Sequence, residues 1–528
     1  MVSSTPTILF NSSKTTRLVI WVLAIALLFA LYLVGIGNNP PGFYVDESGL
    51  AYNAYLVSTT GAGEFGPQFP LFFQLYAGGF TQYSNPTQIY LLALIFKMFG
   101  PGILTARLLA AASVFAASLL LGLLASRVSG RRAVGIIVGV FALLTPWLFE
   151  VGRLVLETFF YPMAVVLFLW AVYNTQRKDR WTWAGVLSVV STLTLLTYSY
   201  TIGRLLGPLL ALSLICFAVD KSRIVSIFKT WVLYGLTLIP LAVFIWQNPD
   251  ITTRFYLLSY LRPESSYFEI FIRFAGRFVE DLNPIKLIVT GDINPRHHLP
   301  DAFGSFFAVT LILAVAGIFI VLIRHRSDPW WRFVLLGLLA SVVPGALTVD
   351  SLHTLRMIAH PIFLLLLMVP ALELLFEKKA SEVEVDQVNK SEVINKSAIA
   401  SIYPVPLRQG ILAAILTCTV LEASYFYWKY YQEGPNRREY FDADYKPLYD
   451  AAVEQPNRPI YLVDDWQPAY IHSFWYATLE GRDIGEFVHL PYRRRPPAGA
   501  VVISSEQNCT HCTKIRRSGD YMLYETTK

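Results

Sequence analysis

Residues 18–36 read LVIWVLAIALLFALYLVGI, a run of nineteen residues without a charged side chain. About 20 residues of helix cross the hydrocarbon core of a bilayer, which is about 30 Å thick. Similar apolar runs recur through the first 430 residues. Because lipid offers the backbone no hydrogen-bond partner, such runs must be helical. The pattern predicts an all-α polytopic membrane protein with about eleven transmembrane helices, near residues 17–37, 104–126, 133–149, 158–175, 182–200, 203–219, 230–246, 305–323, 333–348, 357–376 and 409–428.

The composition excludes an ordinary soluble protein. Of 528 residues, 54% are hydrophobic and only 15% are charged, whereas soluble domains carry about 25% charged residues. The formal net charge of +6 would suit a nucleic-acid partner, but the Lys and Arg residues fall mostly in short loops between apolar runs. They therefore set the orientation in the membrane, and we predict no nucleic-acid partner.

The distribution of basic loops predicts a cytoplasmic N-terminus, with the first apolar run acting as a signal anchor rather than a cleaved signal peptide. Outer loops then fall at 38–103 and 247–304, and everything after about residue 429 lies outside the cell. We expect a plasma (inner) membrane location with extracytoplasmic chemistry. The polar segment 377–408 is predicted to be a flexible cytoplasmic linker before the last span at 409–428.

Residues 429–528 alternate short β-like runs with helix-like stretches, which predicts a small extracytoplasmic α/β domain. It contains Cys509 and Cys512 in NCTHC, with His511 between them. A closed structural zinc site needs four ligands, so a disulfide is favoured over zinc, and free thiols remain an alternative. The oligomeric state is not encoded in any pattern that we recognise.

Ionisable residues collect in three outer segments. The first, GFYVDESGLAYNAYL at 42–56, contains Asp46 and Glu47 at the start of a short helix that we expect to lie in the membrane interface. The alternative is that this acidic pair only caps that helix and meets its dipole. The metal, if the protein binds one, would be expected at Asp46.

The second segment is GDINPRHHLP at 291–300, with Asp292, Arg296, His297 and the neighbouring His298. Two adjacent His seldom bind one ion without further ligands from elsewhere in the chain. Contact with an anion or substrate and a solvated turn are therefore alternatives to metal binding.

The third segment is HTLRMIAHP at 353–361, where His353 and Arg356 sit one helical turn apart at the outer mouth of a helix. Charges at that depth are functional candidates, although Arg356 could instead snorkel to lipid head groups. For His360 we expect a buried structural hydrogen bond.

Smaller signals on the same side are Arg153 with Glu157 and the turn containing Tyr198 and Arg204. The first two are expected to form a local ion pair, and Tyr198 could belong to an aromatic belt. All these residues could converge on one cavity at the lipid boundary. Such a cavity suits group transfer from a lipid-linked phosphate, with a flippase or transporter and a non-catalytic scaffold as alternatives.

The sequence resembles the GT-C membrane glycosyltransferases, and most closely glycosyltransferase family 39, which includes protein O-mannosyltransferases and lipid A aminoarabinose transferases. The resemblance covers about the first 375 residues, with residues 1–376 as the membrane catalytic region. It rests on the acidic pair in the first outer loop, IYLLALIFKMFGPGILTARLLAA at 89–111, GDINPRHHLP at 291–300 and HTLRMIAHP at 353–361.

The resemblance implies a polyprenyl-phosphate-linked sugar as donor and transfer with inversion to an extracytoplasmic lipid, glycan or protein. By this analogy Asp46 is the general base, Glu47 supports it or positions the acceptor, and Arg356, His353 and Arg296 surround the phosphate. Some relatives have a Lys-Pro-Pro run where this chain has Ser84, Asn85 and Pro86, so the phosphate contacts cannot be copied whole. Some GT-C enzymes use a divalent metal and others do not, which leaves a metal cofactor open.

Overall fold

The computed structural model describes residues 14–77, 82–249, 251, 256, 258–262, 265–376, 405–464, 467–490, 494–505, 509 and 511–527. Most of the predicted linker at 377–408 lies outside the described residues. Its last residues, 405–408, belong to a helix.

The α-helices before residue 434 are α1 (Lys14–Tyr32), α2 (Val45–Thr60), α3 (Pro86–Phe99), α4 (Ile103–Ser129), α5 (Arg132–Leu144), α6 (Pro146–Val151), α7 (Tyr161–Gln176), α8 (Trp183–Ser199), α9 (Gly203–Ser213), α10 (Lys221–Thr237), α11 (Ile239–Gln247), α12 (Tyr267–Asp281), α13 (Ala308–Arg324), α14 (Pro329–Ala346), α15 (His360–Leu367), α16 (Val369–Phe376) and α17 (Val405–Glu433).

The apolar helices make this an integral membrane protein. Within the described residues, four segments are long and apolar enough to cross a membrane: Ile103–Ser129, Lys221–Gln247, Pro329–Ala346 and Pro406–Asn436. Shorter apolar helices are Leu18–Tyr32, Pro86–Phe99, Arg132–Leu144, Trp183–Ser199, Gly203–Phe217, Ala308–Arg324 and His360–Phe376. Each of the eleven predicted segments coincides with a helix. The number of spans and their orientation stay predictions.

Proline interrupts three of the predicted spans. The segment predicted at 133–149 is divided between α5 and α6 because Pro146 lacks the N–H that a continuous helix needs. The segments at 230–246 and 357–376 divide in the same way, before Pro240 and Pro370. Helices α3 and α12 were not separately predicted.

Glycine brings two membrane helices into close contact. A Cβ on Gly122 of α4 would lie 2.7 Å from the carbonyl oxygen of Gly135 on α5, and a Cβ on Gly135 would lie 2.5 Å from the carbonyl oxygen of Gly122. Without these side chains the two backbones can touch, which is a common way to pack helices in lipid.

The described residues from Tyr445 onward form the small α/β domain that the sequence predicts. Two short strands, β1 (Phe73–Gln74) and β2 (Tyr83–Ser84), precede it in the chain. Its own strands are β3 (Ile460–Val463), β4 (Phe487–Leu490), β5 (Val501–Ser504), β6 (Cys512–Ser518) and β7 (Tyr521–Thr526). They form one sheet of order β4-β3-β5-β7-β6, in which β3 runs parallel to β4 and β5, and β7 runs antiparallel to β5 and β6. The structure joins Cys509 and Cys512 in a disulfide. Its helices are α18 (Tyr445–Val453) and α19 (Tyr470–Glu480).

This domain packs against the segment 38–103, the predicted first outer loop. The ring of Trp475 on α19 stacks on Phe43 and on Phe96, with centroids 5.9 Å and 5.8 Å apart. Helix α2 lies beneath α19, and its apolar residues, such as Leu50 and Ala54, are buried there. The predicted helix therefore exists, and α3 and α19 pack against it. Its position relative to the membrane surface stays a prediction.

Candidate active site

Asp46 is in the first turn of α2 and is half-buried. Its Oδ1 accepts a hydrogen bond of 2.6 Å from the hydroxyl of Tyr76, which follows β1 (Phe73–Gln74). Among the described residues, its Oδ2 has no hydrogen-bond partner and neither oxygen has a cationic partner. The carboxylate is thus held in place by one oxygen while the other remains available.

Glu47, the next residue, has a different environment. It is fully buried and pairs at 3.2 Å with Arg107 of α4, which is also fully buried. Its Oε1 also accepts the backbone N–H of Val155 at 2.9 Å, and its Oε2 accepts that of Tyr44 at 3.0 Å. The helix-capping alternative is therefore observed for Glu47. A supporting role fits these contacts, whereas contact with an acceptor does not, because both oxygens are occupied.

Arg296 lies beside the N-terminus of α2. Its guanidinium carbon lies 3.6 Å from the ring centroid of Tyr44, the residue before the helix, and its Nε donates to the carbonyl of Tyr440 at 3.0 Å. Within the described part of the chain, its two terminal nitrogens have no hydrogen-bond acceptor. A half-buried cation with free donors therefore lies next to the turn that contains Asp46.

The second and third predicted segments meet. The hydroxyl and the backbone N–H of Thr354 both donate to Asp292 Oδ2 at 2.8 Å, and Nδ1 of His297 lies 3.0 Å from the same oxygen. Burial would raise the pKa of Asp292, but the hydrogen bond and charge of His297 outweigh burial and hold this pKa well below its ordinary value. Burial, followed by His297 and Arg356, lowers the pKa of His353 to about 3.

The remaining residues of these segments have distinct partners. Arg356 pairs with Asp350 at 2.6 Å, and about half of the Asp350 side chain is exposed. His360 Nδ1 lies 2.9 Å from the hydroxyl of Ser341, which confirms the expected buried hydrogen bond. An exposed partner such as Asp350 can turn into solvent at low cost, so Arg356 is available to another anion.

His298 anchors the second segment internally. Its Nδ1 lies 2.6 Å from Glu150 and its Nε2 lies 2.6 Å from the carbonyl of Phe303. Glu150 and the carbonyl of Phe303 can both accept from the ring, which favours the doubly protonated imidazolium. Burial would lower the pKa of His298, but the charge of Glu150 outweighs burial and raises it. Arg437 also reaches Glu150, at 3.4 Å, and connects this network to the chain after α17.

Arg153 and Glu157 do not form the predicted ion pair. The segment that contains them is not helical, so the i, i+4 spacing does not bring them together. Arg153 is fully buried and donates to backbone carbonyls, including that of Tyr32 at 2.7 Å. Glu157 instead accepts the backbone N–H of Asn85 at 2.7 Å.

Arg204 lies close to Asn85, one of the residues that this chain has in place of the Lys-Pro-Pro run of some relatives. Its Nη2 donates to Asn85 Oδ1 at 3.1 Å, and its guanidinium lies 5.2 Å from the ring centroid of Phe72. Tyr198 packs against the same ring, with centroids 5.9 Å apart, and donates to the carbonyl of Thr237. The guanidinium of Arg204, from α9, therefore places a positive charge beside Asn85.

Sequence reasoning missed Arg107, Tyr76 and Glu150. Arg107 had a readable signal, since it is a charge within an apolar run and such charges need a partner. Tyr76 had none, because tyrosine is common in this chain and only folding brings residue 76 to residue 46. Asp46 is not part of any group of three or more metal-ligating residues in the described chain. Such a group exists at Asp292, His297 and His353.

Known structures share this architecture. The chain is similar to ArnT from Cupriavidus metallidurans in the apo state, with 14% identity, a TM-score of 0.56, and coverage of 97% of this chain and 98% of ArnT. The chain has a GT-C glycosyltransferase fold. The same ArnT bound to undecaprenyl phosphate matches at 11% identity with a TM-score of 0.53, over 97% of this chain and 98% of ArnT.

A third solved structure is the archaeal oligosaccharyltransferase AglB from Archaeoglobus fulgidus, in complex with an inhibitory peptide and a dolichol-phosphate. It matches at 12% identity with a TM-score of 0.50, over 91% of this chain and 65% of AglB. No family model and no curated protein sequence matches the chain. At these identities the likeness is one of fold.

Proposed function

We propose that this protein is a glycosyltransferase that moves a sugar from a polyprenyl-phosphate-linked donor to an extracytoplasmic acceptor, with inversion at the sugar carbon. The observation that carries the proposal is the contrast between two adjacent acids. Glu47 is fully engaged by Arg107 and backbone amides, whereas Asp46 keeps Oδ2 free of partners among the described residues. A free carboxylate oxygen is what a general base requires.

In this mechanism Asp46 Oδ2 removes the proton of the acceptor hydroxyl or amine as that group attacks the sugar. The bond between the sugar and the phosphate breaks on the opposite face, and the polyprenyl phosphate leaves with the bonding electrons. A phosphate leaves well without strong protonation, so cations that hold its charge are sufficient. The hydrogen bond from Tyr76 keeps the base oriented.

Arg296 is our first candidate for the leaving phosphate, with Arg356 and Arg204 next to it in priority. Its position over Tyr44 and its free terminal nitrogens support this role, because a planar guanidinium can bind two phosphate oxygens at once. His353, His297 and Asp292 contact one another or Thr354, so they are proposed to shape this side of the site. Arg153, Glu157 and Tyr198 are proposed to hold the surrounding loops.

The fold supports a lipid-linked donor. Two structures similar to this one contain undecaprenyl phosphate or a dolichol-phosphate, and membrane-embedded helices give such a lipid access from the bilayer. We propose that the site and the C-terminal domain face the extracytoplasmic side of the plasma (inner) membrane.

The test is Asp46→Asn. Asparagine keeps an oxygen that accepts from Tyr76, so thermal stability should change by about 1 kcal/mol or less. Sugar transfer should fall by about a hundredfold or more, the scale for losing a positioned base. Mass spectrometry of purified protein with polyprenyl-phosphate-linked sugars would follow release of the polyprenyl phosphate.

The matched control is Asp450→Asn, because Asp450 is half-exposed on the C-terminal domain and pairs with Lys446. It should transfer sugar at the wild-type rate. Wild-type transfer by Asp46→Asn would refute Asp46 as the base, and transport of the lipid-linked sugar without release of polyprenyl phosphate by the wild type would instead identify a flippase.

A further inference from the structure

Three possible metal ligands from separate parts of the chain lie together near the proposed site. One donor atom each of Asp292, His297 and His353 lies within 4.8 Å of the other two. Asp292 and His297 belong to the segment before α13, and His353 belongs to the segment between α14 and α15. The folded chain therefore brings His353, a possible ligand from a distant segment, to His297.

The carboxylate of this group is fixed in position. Asn294 donates its backbone N–H to Asp292 Oδ1 at 2.9 Å, and Thr354 donates both its N–H and its hydroxyl to Oδ2 at 2.8 Å. Hydrogen bonds of this kind orient the ligands of metal centres and lower the cost of assembling them. His297 Nδ1 lies 3.0 Å from Asp292 Oδ2, and a shift of a few tenths of an ångström would give the roughly 3.4 Å between two ligand atoms of a tetrahedral ion at about 2.1 Å each.

His353 has a nitrogen that the fold leaves unsatisfied. Its Nδ1 is buried and has no hydrogen-bond partner in the described structure. A buried polar atom without a partner destabilises the fold, so a ligand that binds this nitrogen would stabilise it. The rings of His353 and His297 have centroids 4.7 Å apart, and an ion between two such rings would satisfy both.

We propose that Asp292, His297 and His353 bind one divalent transition-metal cation, with Zn²⁺ preferred. Two imidazole nitrogens and one carboxylate suit zinc and its neighbours, whereas Mg²⁺ and Ca²⁺ favour sets made only of oxygen. Three protein ligands leave a fourth position for water or for an oxygen of a phosphate. The ion would join the segment that contains Arg296 to the segment that contains Arg356. Only the consequence that it would position these two arginines for a phosphate rests on the proposed function.

The experiment measures metal content in the full-length protein. Protein purified in detergent through a tag without histidine is treated with a chelator, loaded with ZnCl₂ or MgCl₂, passed through gel filtration and analysed by mass spectrometry of the metal. The wild type should retain one zinc per chain and no magnesium, and zinc should raise its Tm by a few degrees. Oxidising conditions keep Cys509 and Cys512 joined and out of the measurement.

The variants are His297→Gln and Asp292→Asn, with His325→Gln as the matched control because His325 lies at the far end of α13. The first two should lose the zinc and the zinc-dependent rise in Tm while eluting as folded protein, and the control should keep both. Asp46→Asn should also keep its zinc, so failure of the transferase mechanism and failure of the metal site are separable.

Two results would overturn the proposal. One is wild-type protein that retains no zinc after loading, which would leave the group as a hydrogen-bonded cluster of Asp292 with His297. The other is His297→Gln that still holds one zinc, which would locate the ion elsewhere. Because the wild-type measurement needs no substitution, poor folding of a variant does not prevent a decision.

Discussion

Glu47→Gln should destabilise this protein strongly, although it removes only a charge. Glu47 and Arg107 are both fully buried, and the carboxylate accepts four hydrogen bonds: two from Arg107, one from the backbone of Tyr44 and one from that of Val155. Glutamine replaces one acceptor oxygen with an NH₂ group. This NH₂ would then face N–H groups that donate to the carboxylate in the wild type, and no hydrogen bond can form between them. It also leaves the guanidinium without a counter-charge.

Removing one partner of a buried ion pair costs about 3–5 kcal/mol. Thermal unfolding in detergent, followed by intrinsic fluorescence, should therefore show a clearly lower Tm and a poorer yield for Glu47→Gln. The matched control is Glu269→Gln, because Glu269 pairs with Arg273 at 2.6 Å with both side chains about half exposed. That exposed pair should contribute less than about 1 kcal/mol.

Equal changes in Tm for Glu47→Gln and Glu269→Gln would refute the energetic argument. A normal Tm combined with a loss of sugar transfer would go further, since it would give Glu47 the catalytic role that its contacts do not support. The comparison with Asp46→Asn then separates the two acids: one variant should lose stability, and the other should lose turnover.

Two other predictions concern the surroundings of this site. Burial raises the pKa of Glu64 from 4.5 to about 7 even though Tyr470 donates to it, so the wild type should lose stability as the pH rises from about 4.5 to 7. Glu64→Gln should match its Tm at pH 4 and exceed it at pH 8, and parallel curves would contradict this. Arg296→Lys keeps the charge but loses the planar fork over Tyr44; KM for the donor should rise about tenfold, with no such rise in the exposed control Arg438→Lys.

The helices were readable from the sequence because lipid imposes one requirement on every apolar run: the backbone must satisfy its own hydrogen bonds. Each of the eleven predicted segments overlaps one or two helices. The breaks within three of these segments, at Pro146, Pro240 and Pro370, were harder to predict from the sequence. A proline can either kink or break a helix, and packing against neighbouring helices determines which of the two occurs. Helix α2 was predicted, but its covering by the C-terminal domain was not.

The sequence by itself identified several of the ionisable residues that could matter, because a charge beside lipid is costly and therefore needs a reason. It brought Asp46 and Glu47 forward as a pair but could not divide their roles. Only the tertiary structure did that, by placing Arg107 beside Glu47 and Tyr76 beside Asp46. It also joined His353 to Asp292 and His297 and separated Arg153 from Glu157. Local spacing encodes neighbours within one helix, whereas the partner of a buried charge comes from a distant segment that packing brings near.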